Sequence, residues 1–176
     1  MTLSLADRIL QPNPAPAAHR PNSNDAFTAA MREFYEAVDA SIAAQQPVCI
    51  NRGDCCKFAA FGHRLYVTDV ELAYFVRGEP ARLVDPNAGA CPYQEAGRCT
   101  AREHRPLGCR IFFCDENARD WQGPEYERHL ERLKEIGRGF DIPYRYREWL
   151  SALTHGMAEV VAHSPSPLLT SPQRIG

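Results

Sequence analysis

Cys49-Ile50-Asn51-Arg52-Gly53-Asp54-Cys55-Cys56 sets three of the chain's seven cysteines within eight residues, and the other four, Cys91, Cys99, Cys109 and Cys114, follow before residue 115. None lies outside that interval. Their neighbours are turn formers and polar residues, Gly53-Asp54 ahead of the vicinal pair and Gly97-Arg98 ahead of Cys99. Several thiols therefore fall in loops that can bring them together, and converging thiolates are metal ligands. No basic flank followed by an apolar run marks a secretory leader, so the chain is expected in the cytoplasm, where thiols stay reduced. An odd count of cysteines in that setting points to metal ligation or redox chemistry rather than a disulfide framework.

Outward from the cysteines, hydrophobic periodicity takes over. Phe27, Met31, Phe34, Val38 and Ile42 recur at helical spacing behind the capping candidates Asn24 and Asp25, which predicts an amphipathic helix ending at Pro47. Arg64-Leu65-Tyr66-Val67 reads as a short strand. Thr68 with Glu71 has the spacing of a capping box, opening a helix through Val76 that Gly78 and Pro80 close. From there to about residue 108, proline, glycine and polar residues dominate, and so long a stretch without its own structure needs a constraint that a metal would supply. Ile111-Phe112-Phe113 suits a strand or an extended wall of a site. A helix is expected from Pro124, with Tyr126, Leu130, Leu133 and Ile136 on one face. A second is expected over 143–163, with Tyr146, Leu150, Leu153, Met157 and Val160 facing inward, the two packing as an antiparallel pair. Tyr144, Tyr146 and Trp149 read as core and rim of that helix rather than as a stacking platform.

The fold class that results is mostly α with small, irregular β. A metal-stapled, loop-rich core over residues 49–114 is flanked by an N-terminal helix and a C-terminal helical pair. One domain spans 25–163, between a proline-rich leader at 1–24 and a flexible tail at 164–176. A chain of 176 residues, 44% hydrophobic, holds one modest core. Its 20 basic and 22 acidic residues form no long block of either sign, which argues against nucleic acid and an anionic membrane as partners. No apolar run is long enough for a membrane span. No glycine-rich phosphate loop, Gly-x-Ser-x-Gly elbow or paired-histidine metal motif is present, so hydrolase and nucleotide-binding classes lack support.

The cysteine arrangement resembles the YkgJ-like cysteine-cluster family, a zinc- or iron-chelating domain named for its Cys-x-x-Cys-x-x-Cys-Cys opening. Cys49 to Cys56 match that opening, with Arg52 in place of the second cysteine. Cys91-Pro92-Tyr93 resembles the family's Cys-Pro-aromatic element, and Gly97-Arg98-Cys99 its Gly-x-Cys. Arg105-Pro106-Leu107-Gly108-Cys109-Arg110-Ile111-Phe112-Phe113-Cys114 resembles its closing motif. The resemblance covers 49–114 and implies a centre ligated by Cys55, Cys56, Cys91, Cys99, Cys109 and Cys114, with Cys49 as a further candidate. Cys49 is also the first candidate for a buried free thiol, because Val48 and Ile50 are apolar and its partner at 52 is missing.

Arg105 and Arg110, inside the closing motif, are expected to offer charge and hydrogen bonds to sulfur. Arg52, Lys57 and Arg98 are weaker candidates for the same role. His63 and His104 are minor alternative ligands, and Asp54, Asp115 and Glu116 are given none. Adjacent Cys55 and Cys56 tend to point apart, which favours an iron–sulfur cluster or iron over one zinc ion. The expected function is a redox or accessory one. The alternative is a zinc-stapled module that binds another protein without catalysis. Some proteins with this type of domain are flagellin lysine methylases, although nothing here reads as a site for S-adenosylmethionine.

Overall fold

A computed structural model describes residues 23–49, 53–85 and 87–156. Arg52, the proline-rich leader apart from its last two residues, and the end of the predicted last helix with the tail beyond it lie outside the described residues. Helix α1 spans Ser23–Gln45, and a 3₁₀ turn, Asp54–Cys56, leads into the four-residue α2, Phe58–Phe61. Strand β1, Tyr66–Thr68, feeds α3, Asp69–Gly78, and a hairpin of β2, Gln94–Glu95, and β3, Arg98–Cys99, follows. Then come α4, Leu107–Ile111, a 3₁₀ turn at Glu116–Ala118, and α5, Arg119–Gly139. Strand β4, Tyr146–Glu148, α6, Trp149–Ser151, and a π turn, Ala152–Gly156, complete the described chain. The protein is mostly α with two small antiparallel sheets, β1 with β4 and β2 with β3.

The two helices read from periodicity and capping form where expected. Phe27, Met31, Phe34, Val38 and Ile42 are all buried along one face of α1. Thr68 caps α3 with the reciprocal capping box formed by Glu71. Glu71 does more than cap its own helix. Its Oε2 accepts from the Thr68 backbone N–H at 2.7 Å and hydroxyl at 2.9 Å, while Oε1 accepts from Leu107 N at 2.7 Å, the first residue of α4. One buried carboxylate thus serves two helix starts, each of which has orphan N–H groups to satisfy. Helix α4 packs among α1, α5 and β1, with Leu107 and Ile111 wholly buried. Each such side chain contributes about 1.5–3 kcal/mol relative to exposure, so the segment carrying Cys109 is anchored from both ends.

Two boundaries differ from expectation. Helix α5 opens at Arg119 rather than Pro124, launched by the 3₁₀ turn before it, and Pro124 sits inside the helix. At the C-terminal end, the second helix, expected from 143, is replaced at 146–148 by strand β4. Arg145 and Arg147 reach the same buried carboxylate, Nε to Oδ2 of Asp69 at 2.7 Å and Nε to Oδ1 at 2.9 Å, and alternate residues facing one partner require extended backbone. Tyr146 is accordingly turned outward, about half-exposed, stacked on Tyr66 and hydrogen-bonded to the Tyr126 hydroxyl at 2.7 Å. Leu150 and Leu153 are buried as expected, and the turns that hold them pack on α3. Among the described residues no helix is long and apolar enough to cross a membrane.

The stretch from Glu79 to Pro106 has more structure of its own than its composition suggests. Ala96 and Gly97 both adopt positive φ, 49° and 77°, which closes a two-residue turn between β2 and β3. Arg82 then gathers the loop: its guanidinium donates to the Pro92 carbonyl at 3.2 Å and the Thr100 hydroxyl at 3.1 Å, pairs with Glu95, and lies over the Tyr93 ring. Tyr93, 2% exposed, donates its hydroxyl to the Pro80 carbonyl at 2.9 Å. Protein groups supply at least part of the constraint that was expected from a metal.

Candidate metal centre

All seven cysteines line one cavity of about 130 Å³. Each is delivered by a different piece of local structure. Cys49 follows the end of α1, and Cys55 and Cys56 sit in the 3₁₀ turn. Cys91 precedes the hairpin, Cys99 lies on β3, Cys109 on α4, and Cys114 follows the Phe112-Phe113 pair. Of the wall expected at 111–113, Phe112 is extended and both phenylalanines line the cavity, while Ile111 ends the helix. No disulfide links any of the seven.

The turn that carries Cys55 and Cys56 depends on Gly53, whose φ of 67° is left-handed. A methyl group there would overlap the carbonyl oxygen of Gly97 at the hairpin tip. Gln94 Nε2 donates to the Gly53 carbonyl at 2.9 Å, and Cys91 N donates to the Cys56 carbonyl at 2.8 Å, so the first and second cysteine loops are tied backbone to backbone. In this turn the vicinal thiols do not point apart. Cys56 makes hydrogen-bonding contact with both Cys55 and Cys91, which corrects the premise that the adjacent pair splays.

These contacts set the charge of the site. Hydrogen bonding from Cys56 holds the Cys55 thiol down at about 6, against the opposing effect of burial and with help from the nearby Arg105 charge. Cys91 is lowered to about 7, first by Cys56 and then by Trp149, whose indole Nε1–H donates to its sulfur at 3.4 Å. Cys56 is correspondingly raised, by its interactions with Cys55 and Cys91 and by burial. Burial pushes Cys99 up and Cys109 up strongly. Without a bound cation Cys55 and Cys91 are thus the thiols that ionise first, while Cys56, Cys99 and Cys109 are held toward the protonated form, a pattern that cation binding reverses by releasing protons.

Arg105 lines the cavity and lowers Cys55, Cys99 and Cys109 through its charge. Its Nε donates to the Arg102 carbonyl at 3.2 Å and Nη1 to the Cys109 carbonyl at 3.4 Å. Arg110 is not at the cavity wall. It is buried on the far side of α4, where it pairs with Asp39 at 2.6 Å and stacks over Tyr35 at 4.2 Å. There it also donates to the carbonyls of Arg105, at 2.8 Å, and Glu103, so it braces the backbone from which Arg105 projects. Arg98 is exposed on the hairpin, and Lys57 is paired with Asp54 at 2.8 Å.

His63 is edge-on to Phe58 and bonded to the Cys55 carbonyl at 3.1 Å, while His104 pairs with Glu79 at 2.8 Å, so both rings are engaged outside the cavity. Asp115 accepts from Val48 N at 3.1 Å, which brings the neighbourhoods of Cys49 and Cys114 together at the mouth. Cys49 is exposed there rather than buried.

Two residues at the wall escape a reading of the cysteine motif. Arg102 lines the cavity three residues after Cys99 and three before Arg105, and Trp149 reaches in from α6. Trp149 is core, as its helical spacing suggests, at 1% exposure. The motif gives no hint that its N–H would find a sulfur. Among the described residues no three Cys, His, Asp or Glu side chains stand gathered tightly enough to hold a single ion. The donor set, soft thiols with a nearby guanidinium and fixed N–H donors, has the chemistry of an iron–sulfur or zinc site, and its sulfurs are spread around a cavity wall rather than around one point. No family model, no curated protein and no solved structure matches this chain.

Proposed function

We propose that the seven thiols hold an iron–sulfur cluster, or iron, and that the protein performs a redox or accessory task with it. The observation that carries the reading is that cysteines scattered from 49 to 114 wall a single cavity. A cavity walled by seven thiols suits a polynuclear centre better than one ion. The resemblance of the four cysteine elements to the YkgJ-like family supports the same class of ligand. One-electron transfer is the chemistry that such a centre supplies when bound.

The chain's own residues have definable tasks. Cys56, Cys91, Cys99 and Cys109 are the less exposed thiols and form the inner set, while Cys49, Cys55 and Cys114 stand at the mouth. Arg105 offsets thiolate charge, and Phe75, Tyr93 and Trp149 keep one wall dry. A second reading has its own observation: Cys56 is close to both Cys55 and Cys91, and zinc drawn to such thiols would make the domain a stapled interaction module.

Anaerobic purification separates the two. An iron–sulfur protein is brown, absorbs broadly at roughly 400 nm, contains iron and acid-labile sulfide, and bleaches reversibly with dithionite. Colourless protein with stoichiometric zinc selects the stapled module. Folded protein with neither metal, and with all thiols freely reactive, overturns both.

A further inference from the structure

Resting on the reading of the cavity as a redox centre, we infer that Trp149 is the positioning residue that sets its potential, by fixing an N–H donor on the Cys91 sulfur. An indole nitrogen can only donate, and a donor buried at 1% exposure needs an acceptor. The acceptor here is Cys91 Sγ, at 3.4 Å.

The fold holds the ring independently of that sulfur. Trp149 N donates to the Leu65 carbonyl at 2.8 Å, at the end of the strand pairing between β1 and β4. The Phe75 ring packs against the indole at 4.8 Å and 90°, and Phe75 is in turn wedged by Tyr93 at 4.8 Å. The donor is therefore in place before any centre forms, and it need not reorganise when the charge on sulfur changes.

The Cys56 thiol and the Tyr93 backbone also act on the Cys91 sulfur. The Cys56 proton is lost once that thiol becomes a ligand, whereas the indole N–H does not ionise. Trp149 is thus the side-chain donor that persists in the loaded state. A hydrogen bond to a ligating sulfur draws electron density from it and favours the more negatively charged, reduced centre, which raises the potential.

Trp149→Phe removes the donor and leaves an aromatic ring. The iron content should stay at the wild-type level, and the midpoint potential should fall by roughly 59 mV, a tenfold change in the oxidised-to-reduced ratio for one electron. Trp121→Phe removes the chain's other indole N–H, which does not line the cavity, so its potential should match wild type. If Trp149→Phe folds poorly, benzothienylalanine incorporated at 149 in a Trp121→Phe background replaces the N–H by sulfur with nearly the same shape, and the same fall is expected. An unchanged potential in an iron-loaded variant lacking the N–H overturns the inference and leaves the redox centre standing. An equal fall in Trp121→Phe also overturns it, since the N–H on Cys91 would then not be the cause. Wild-type protein without iron removes the centre and the inference together.

Discussion

Cys55 and Cys109 are the same side chain in opposite surroundings. Cys55 is exposed, held near 6 by hydrogen bonding from Cys56 and the charge of Arg105, while burial keeps the Cys109 thiol protonated. In protein stripped of metal at neutral pH, iodoacetamide should modify Cys55 well before Cys109, because the thiolate is the nucleophile. Peptide mapping after short exposure measures the order, and the Cys55 rate should rise with pH through a midpoint near 6.

His129 gives a pH dependence of stability. Burial and the adjacent Arg128 hold its imidazole below the ordinary value, so between the two values the unfolded chain binds more protons than the folded one. Its contribution is present above about pH 6.5, the unfolded value, and is lost as pH falls through the folded one. His129→Gln should flatten the decline of stability on the acid side of that point, as read from urea midpoints. Glu71→Gln should cost about 1–3 kcal/mol in the same experiment, because an amide cannot accept at both ends and one of three buried donors loses its partner.

Among the elements, the Arg82 clamp and the hairpin it gathers make a prediction that does not depend on metal. Arg82→Ala should raise amide hydrogen exchange across residues 91–100 while α1 and α5 exchange as in wild type, since the lost contacts all lie within that loop. Equal exchange throughout would show the loop to be held by something else. The elements legible in the sequence are those whose cause is local. Five apolar residues at helical spacing define α1, and a threonine and a glutamate three apart define the start of α3. The rest depends on distant partners. Tyr146, Leu150 and Leu153 have helical spacing, yet Asp69, far back in the chain, pairs with both Arg145 and Arg147 and holds the backbone between them extended. At five residues α4 is too short to show a period, and its first N–H is satisfied by Glu71 from another helix. At the site, cysteine spacing reveals that thiols gather. It says nothing of which arginine faces them, because Arg105 and Arg110 stand in the same motif and leave the backbone in different directions.

For the whole molecule, the cavity lies where α4, the two cysteine loops and α6 meet, so metal binding and folding are linked through every one of them. Cys56→Ser and Cys109→Ser should each lose metal and lower the melting temperature, with the loss of protection centred on residues 53–56 and 91–114. Unchanged metal content and melting in both variants would remove these thiols from the ligand set. The wall also spans most of the described chain, from Val48 to Trp149.

That span has a temporal side. Every thiol has been synthesised by Cys114, but the indole that completes the pocket is residue 149. At ribosomal speeds of about 5–20 residues per second, a nascent chain spends some seconds with its sulfurs made and its last aromatic wall still missing. Sulfurs that have left the ribosome in that interval lack the indole wall, and arrival of the C-terminal segment supplies it.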